Sequence, residues 1–440
     1  MIRFFYNLLF PAALLFFLPG IFVKMVRRGN YRHNFGQRFG FYDRALRDRL
    51  RAGDRTWIHA VSVGEVMIAL KLAEKLRELE PALRVVLTTT TTTGFAIARK
   101  DSPEWIDVLY NPLDFWPVMR CAFHVIRPQR VILVEAEVWP NLAAEAHRHS
   151  LPLALVNARL SARSERRFRK FRFAVAPTFR LLDLVCVQEP EDVPRWEALG
   201  VDRERIEVVG SIKFDWSQAP PDLKIPHEVL AHCEIDPTRP MFFAGSTHAG
   251  EERIVAEIFL SLRSEFPDLF LIIVPRHFER TAEIQRMLES LDLRVALRTD
   301  AAVTPSRVVK PDCLILNAMG ELRHWYAVGT VVFVGKTLTA HGGQNPVEPI
   351  AAGRPVVFGP HMENFATLAR SLVQRGGAVQ VANEAALREN VARLLRDEPT
   401  RQRLVENARN VLRRHDGATL RTADLVTSLR SRTRAGRVAR

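Results

Sequence analysis

Short, unbroken apolar runs alternate with helical stretches along most of this chain, and that alternation limits its fold more than any other feature. In the first half the runs are Trp57–Val61, Val85–Thr89, Asp107–Tyr110, Arg130–Glu135, Pro152–Asn157, Leu184–Gln188 and Ile206–Val209. In the second half they are Met241–Ala244, Leu269–Val274, Cys313–Leu316, Val331–Val334, Pro355–Phe358 and Ala378–Val381. Between them lie segments such as Val66–Leu79, with apolar residues at helical spacing. A strand with one wet face would alternate polar and apolar residues. These runs do not, so they predict parallel strands buried on both faces. Their spacing predicts βαβ units rather than a sandwich.

A length of 440 residues suits two or three domains. The stretch Ser217–Pro226, SQAPPDLKIP, reads as a linker or surface crossing. It divides residues 31–220 from residues 221–400, leaving a basic segment at 401–440. Two such α/β domains are expected to face each other across a cleft, with strand C-terminal ends pointing into it. Composition excludes two other classes. With 47% hydrophobic and 25% charged residues, the chain is not mainly disordered. Cys121, Cys186, Cys233 and Cys313 stand far apart with no CxxC, which argues against a disulfide scaffold and a clustered thiolate zinc site. The 63 Lys plus Arg against 49 Asp plus Glu give +14, which suits an anionic partner.

Phe4–Val23 is a run of 20 residues without charge, followed by Lys24, Arg27, Arg28 and Arg32. A helix of that length reaches about 30 Å, a bilayer core. The expectation is an N-terminal membrane anchor over residues 1–30, with the body on the cytoplasmic side. Pro11 and Pro19 keep a tilted or interfacial helix open beside a spanning one.

Five turns carry candidate chemistry. His59-Ala-Val-Ser-Val-Gly-Glu65 follows a strand and opens a helix. Gly64 permits a tight turn, and Ser62 can assist or shape it. Glu65 at the helix start is either an ordinary first-turn glutamate or a general base. Glu135-Ala-Glu-Val-Trp-Pro-Asn141 ends a strong strand, and Glu137 can hold a polar ligand there. Gly245-Ser-Thr-His248 precedes a helix-like segment, Glu251–Leu262, whose N–H groups can receive phosphate. Pro275-Arg276-His277 places a guanidinium at a strand end, either as a surface cation or as a phosphate fork. Asn317-Ala-Met-Gly-Glu-Leu322 repeats the theme at Gly320. The richest turn runs from Lys336 to Pro349, KTLTAHGGQNPVEP. Gly342 and Gly343 allow close backbone approach. Asn345 and Glu348 stand one turn apart, where a carboxylate can meet ribose hydroxyls. Gly359–Phe365, GPHMENF, follows the next strand and brings Asn364 toward the same pocket. No Walker loop or complete GxGxxG is present.

Jointly, HAVSVGE at 59–65, EAEVWPN at 135–141, GSTH at 245–248, PRH at 275–277, MGEL at 319–322, GGQNPVEP at 342–349, GPHMENF at 359–365 and FGQRFG at 35–40 resemble one family. It is the 3-deoxy-D-manno-octulosonic acid (Kdo) transferases of lipopolysaccharide synthesis. The resemblance runs to about residue 395 and implies two Rossmann-like domains of the GT-B glycosyltransferase type. It also implies CMP-Kdo as donor, the tetraacylated lipid A precursor as acceptor, and a place at the cytoplasmic face of the inner membrane. Glu65 would then be the catalytic base. Ser246, Arg276, Gly320, Asn345 and Glu348 would bind the donor, with Ser62, Gly64, Glu137, His277 and Asn364 lining the site. Ala136 and Gln344 depart from the family's common Thr and His. No DxD motif occurs, so neither an essential metal nor another cofactor is expected. Arg159–Phe173, with seven basic residues and three phenylalanines, would suit acceptor phosphates or anionic inner-membrane lipids rather than nucleic acid. Two other classes stay open: another nucleotide-sugar transferase or epimerase, told apart by its donor, and a non-catalytic membrane scaffold, which would lack turnover.

Overall fold

The computed structural model describes residues 2–12, 14, 34–51, 53–215, 221–301, 310–318 and 320–438. The chain divides into two units, Met1–Asp215 with His415–Arg440, and Trp216–Arg414. In the first unit the strands are β1 (Arg55–His59), β2 (Val85–Thr89), β3 (Ile106–Tyr110), β4 (Pro128–Val134), β5 (Leu153–Ala158), β6 (Leu184–Val187) and β7 (Ile206–Val208). They form one sheet in the order β3-β2-β1-β4-β5-β6-β7, every pair parallel. The second unit carries β8 (Met241–Thr247), β9 (Phe270–Pro275), β10 (Val295–Leu297), β11 (Cys313–Ile315), β12 (Val331–Val334), β13 (Val356–Phe358) and β14 (Val379–Gln380). Their order is β10-β11-β9-β8-β12-β13-β14, again parallel throughout.

The burial explains the unbroken runs. Along β1 and β4, Trp57, Val131 and Leu133 enter one core with Leu46, Leu50, Met119 and Phe123. Ile58, Ile132 and Val134 enter the opposite core with Val66, Leu70 and Leu76 of the Val63–Leu79 helix. Neighbouring residues serve opposite faces because side chains alternate along a strand. The second sheet repeats this. Phe242, Leu271 and Ile273 pack under the Glu251–Leu262 helix, while Phe243, Phe270 and Ile272 pack with Trp325 and Tyr326.

The strand order switches direction between β1 and β4 in the first sheet and between β8 and β12 in the second. Ligands bind beyond the strand C-terminal ends at such switch points. Glu135 just past β4, Ser246 in β8 and Lys336 just past β12 have φ of 62°, 56° and 59°. Non-glycine residues seldom hold that left-handed conformation, so the chain turns sharply and with strain where both sheets switch.

The C-terminal segment is shared. The Glu398–Leu412 helix lies in the second unit, whereas the Ala418–Val438 helix belongs to the first. Ala423 and Val426 are buried in the core under the Val63–Leu79 helix. The Asp215 carboxylate accepts the Gly417 and Thr419 N–H groups at 2.9 and 2.8 Å and fixes the return.

The expected N-terminal membrane-anchoring helix is corrected. Among the described residues, no helix is long and apolar enough to cross a membrane. Residues 2–12 are helical and dock on the first unit. The side-chain amides of Asn7 and Asn141 exchange hydrogen bonds at 2.9 Å, and the Trp116 N–H donates to Asn7 at 3.0 Å. Phe10 stacks on Phe115 at 5.4 Å. Asn7, the one strongly polar side chain in the apolar run, is thus committed to protein partners. The remainder of that run, residues 13 and 15–23, lies outside the described residues. The inner-membrane localisation with cytoplasmic catalytic domains, expected from that helix and from the family resemblance, is corrected with it.

Candidate active site

At the first switch point, Ser62 caps the Val63–Leu79 helix and Glu65 occupies its third position. The Glu65 N–H donates to the Ser62 hydroxyl oxygen at 3.4 Å, and the hydroxyl donates to Glu65 Oε1 at 2.8 Å. The Val61 N–H donates to Oε2 at 2.8 Å. This is a variant of the capping box, with the carboxylate reaching back to the N–H one residue before the cap, and it holds the carboxylate in one rotamer. Glu65 is 8% exposed, and burial pushes its carboxyl up to about 7. The two hydrogen bonds oppose that rise, and the charges of Glu135 and Glu137 add to it. A carboxyl poised near neutrality can exchange a proton under working conditions.

Glu135 and Glu137 are also raised, chiefly by burial. Arg159 and Lys213 counter the rise at Glu135. The structure therefore brings Glu65, Glu135, Glu137, Arg159 and Lys213 together, and Ser62 with them. Lys213 was not legible as part of the site, because a single Lys after a strand carries no signal. Gly64 serves differently from the expected turn. Its φ is not left-handed, and nothing stands within 4 Å of where a Cβ would sit. It leaves open space at the helix start. His59 is fully buried, its Nδ1 3.0 Å from Thr88 Oγ1. Burial lowers its pKa to about 4, so it is a neutral core residue. Asn141, in the second motif, tethers the N-terminal helix as described.

At the second switch point, Ser246 is buried and hydrogen-bonded to Tyr326. Tyr326 is fully enclosed, and burial together with the Glu348 charge holds it as the phenol. The Asn345 amide donates to Glu348 Oε1 at 3.0 Å, and its oxygen accepts the Val347 N–H at 3.0 Å. Burial raises the Glu348 carboxyl, while Asn345, Arg323 and Arg276 pull it down. Ser246, Tyr326, Asn345, Glu348, Arg276 and Arg323 thus form one polar cluster. Arg323 and Tyr326 follow the MGEL motif and were not expected from it. Gly320 is exposed with open space around it, and Arg276 and His277 are exposed at the end of β9. The His277 ring lies 5.7 Å from that of His248.

Glu251 organises this end of the second sheet. Its carboxylate is fully buried and accepts four backbone N–H groups. His248 and Lys336 donate to Oε2 at 2.9 and 2.7 Å. Thr337 and Leu338 donate to Oε1 at 2.8 and 3.0 Å. One side chain thereby ties the GSTH turn to the turn after β12. Gly335 lets those turns meet, since a Cβ there would lie 2.4 Å from the Ser246 carbonyl oxygen. The glycine-rich turn is closed in turn by GPHMENF. Glu363 Oε2 accepts the Gly342 N–H at 2.6 Å, and the Asn364 N–H donates to the Gly342 carbonyl at 2.9 Å.

Comparison with known proteins agrees with this arrangement. Residues 33–216 match the family described as 3-Deoxy-D-manno-octulosonic-acid transferase (kdotransferase), and residues 314–411 match Glycosyl transferases group 1. A 3-deoxy-D-manno-octulosonic acid transferase of Haemophilus influenzae is 31% identical over 425 residues, 96% of this chain and 98% of that one. Another, from Bordetella pertussis, is 34% identical over 376 residues, 84% of this chain and 86% of that one. The solved structure of MurG from Acinetobacter baumannii aligns with a TM-score of 0.53 at 15% identity, covering 86% of this chain and 100% of that one. That last likeness shows the fold alone.

Two Rossmann-like units with polar sites at their switch points, joined to these matches, define a nucleotide-sugar-dependent glycosyltransferase of the GT-B type. The chain belongs to the 3-deoxy-D-manno-octulosonic acid transferase family, and as such it is a CMP-Kdo-using enzyme.

Proposed function

We propose that this enzyme transfers Kdo from CMP-Kdo to the tetraacylated lipid A precursor with inversion, releasing CMP. The observation that carries the reading is Glu65: a buried carboxyl near pKa 7, fixed by a capping box at a switch point. Glu65 takes the proton of the acceptor hydroxyl as its oxygen attacks the anomeric carbon. The bond from that carbon to the phosphate oxygen breaks, and the departing CMP phosphate keeps the electron pair. Attack opposite the leaving group inverts the centre.

The second unit meets the developing negative charge. Arg276 and Arg323 supply guanidinium groups, and strand-end N–H groups add dipoles. Glu348, oriented by Asn345, accepts from ribose hydroxyls, and Ser246 presents its hydroxyl to the nucleotide. Gly320, His277 and Asn364 line the donor, while Ser62, Gly64 and Glu137 line the acceptor. Arg159 and the basic residues after it suit the acceptor's phosphates. The leaving group departs as a stable phosphomonoester, so no step passes through a metal.

Mass spectrometry of lipid A precursor incubated with purified enzyme and fresh CMP-Kdo tests the reaction. The expected product is heavier by one or more Kdo units. An unchanged acceptor beside a working control transferase would overturn the reading.

A base must be ionised to act. With the Glu65 carboxyl at about 7, kcat/KM is expected to rise with pH through about 7 and then level. A profile already flat from pH 5.5 upward would remove Glu65 from that role. Replacing Arg276 or Glu348 with Gln is expected to weaken CMP binding about 10- to 100-fold, a loss of roughly 1.5–3 kcal/mol as for hydrogen bonds to charged groups. Calorimetric titration with CMP measures it, and unchanged affinity in both would dissolve the pocket.

A further inference from the structure

Three side chains with no part in that chemistry converge where the glycine-rich turn meets GPHMENF. His341 Nδ1 lies 2.8 Å from Glu363 Oε1, and His361 Nδ1 lies 3.5 Å from the same oxygen. The two imidazoles approach with ring centroids 4.0 Å apart. One ligand atom from each residue lies within 4.8 Å of the others. Glu363 Oε2 is already engaged by the Gly342 N–H at 2.6 Å, which leaves Oε1 turned to the histidines.

We infer that His341, His361 and Glu363 form a binding site for zinc or a similar borderline divalent cation, fastening these two turns to each other. Two imidazole nitrogens and one carboxylate oxygen suit zinc, whereas magnesium and calcium prefer oxygen ligands alone. Bonds of 2.0–2.2 Å in a tetrahedral site set donor atoms about 3.4 Å apart; the 3.5 Å His361 contact already fits, and the 2.8 Å His341 contact need only open slightly. His341 is 78% exposed and free to make that adjustment. Each imidazole passes its proton from Nδ1 to Nε2 and presents the Nδ1 lone pair to the ion. Water fills the fourth position, because the site opens to solvent. Such a site binds reversibly, with a Kd on the order of micromolar, unlike a closed structural zinc site.

The ion would reach the turns that carry Asn345, Glu348 and Asn364 without entering the reaction. Binding itself does not depend on the donor assignment, so the two readings fail separately. Isothermal titration of the chelator-stripped full chain with zinc chloride is the test. One ion per chain is expected, with a higher melting temperature when zinc is present. In the double variant His341→Gln/His361→Gln, affinity is expected to fall at least tenfold and the zinc-induced melting shift to vanish. The zinc-free melting temperature should match the parent, because both side chains reach the surface. Magnesium chloride is expected to give no binding heat. Failure of one-to-one uptake, or uptake undiminished in the double variant, would overturn the site.

Discussion

Glu65→Gln is expected to lose about 10²- to 10⁴-fold in turnover, the usual share of a general base, while CMP affinity stays within a factor of two. The substitution is nearly isosteric. The Gln oxygen still accepts the Val61 N–H, and its amide can donate to the Ser62 hydroxyl, so the capping box survives with its polarity reversed. Stability should move the other way. The Glu65 carboxyl titrates near 7 in the fold, above its ordinary 4.5. Between those values the folded chain holds a proton that the unfolded chain has released. Stability therefore falls as pH rises across that window, and ionised Glu65 weighs against the fold at pH 8. A neutral amide removes that burden, so the variant should melt at or above the parent temperature at pH 8. Activity and stability then separate, as expected where a buried charge is kept for chemistry. Turnover within threefold of the parent would sink the assignment. A fall in both turnover and melting temperature would make Glu65 a cap and nothing more.

Much of this was legible before any coordinates. All thirteen apolar runs overlap strands, because parallel strands buried on two faces leave a contiguous signal. Val295–Leu297 escaped, since three residues between Arg294 and Arg298 show neither a run nor a period. The two switch-point turns were visible because glycine, proline and charged residues cluster after strands. Their partners were not. Lys213, after β7, comes near Glu135, after β4, only once those strands lie three places apart in one sheet. The N-terminal run misled for the same reason. Its apolar composition is local, whereas the tie between Asn7 and Asn141 spans 134 positions. The return of the Ala418–Val438 helix to the first unit is likewise invisible in a segment dominated by arginine.

Glu251 illustrates the gap most sharply, and its replacement is expected to damage the second unit more than any other single change near the site. In the sequence it is one more acidic residue in a helix's first turn, a position that favours carboxylates anyway. In the fold its fully buried carboxylate accepts four N–H groups from two turns. Glu251→Ala strands those donors, and each buried unsatisfied group costs about 1–3 kcal/mol. A loss on the order of 5 kcal/mol follows, enough to unfold many domains. Glu251→Gln separates folding from function. Its oxygen keeps two of the four bonds, while its amide nitrogen faces two donors and must push them away. That variant is expected to lose about half as much stability and to remain folded at 25 °C. Either pair of donors, His248 with Lys336 or Thr337 with Leu338, would then be displaced, and the turns around Ser246 would shift with them. Ser246 holds its left-handed φ of 56° only while those turns are pinned. CMP affinity should accordingly fall at least tenfold in a protein that still melts cooperatively. Thermal melting and CMP titration of the same Gln preparation decide the matter. A melting temperature within 2 °C of the parent together with unaltered CMP affinity would mean that the four bonds are geometric coincidence rather than the tie that shapes the donor side.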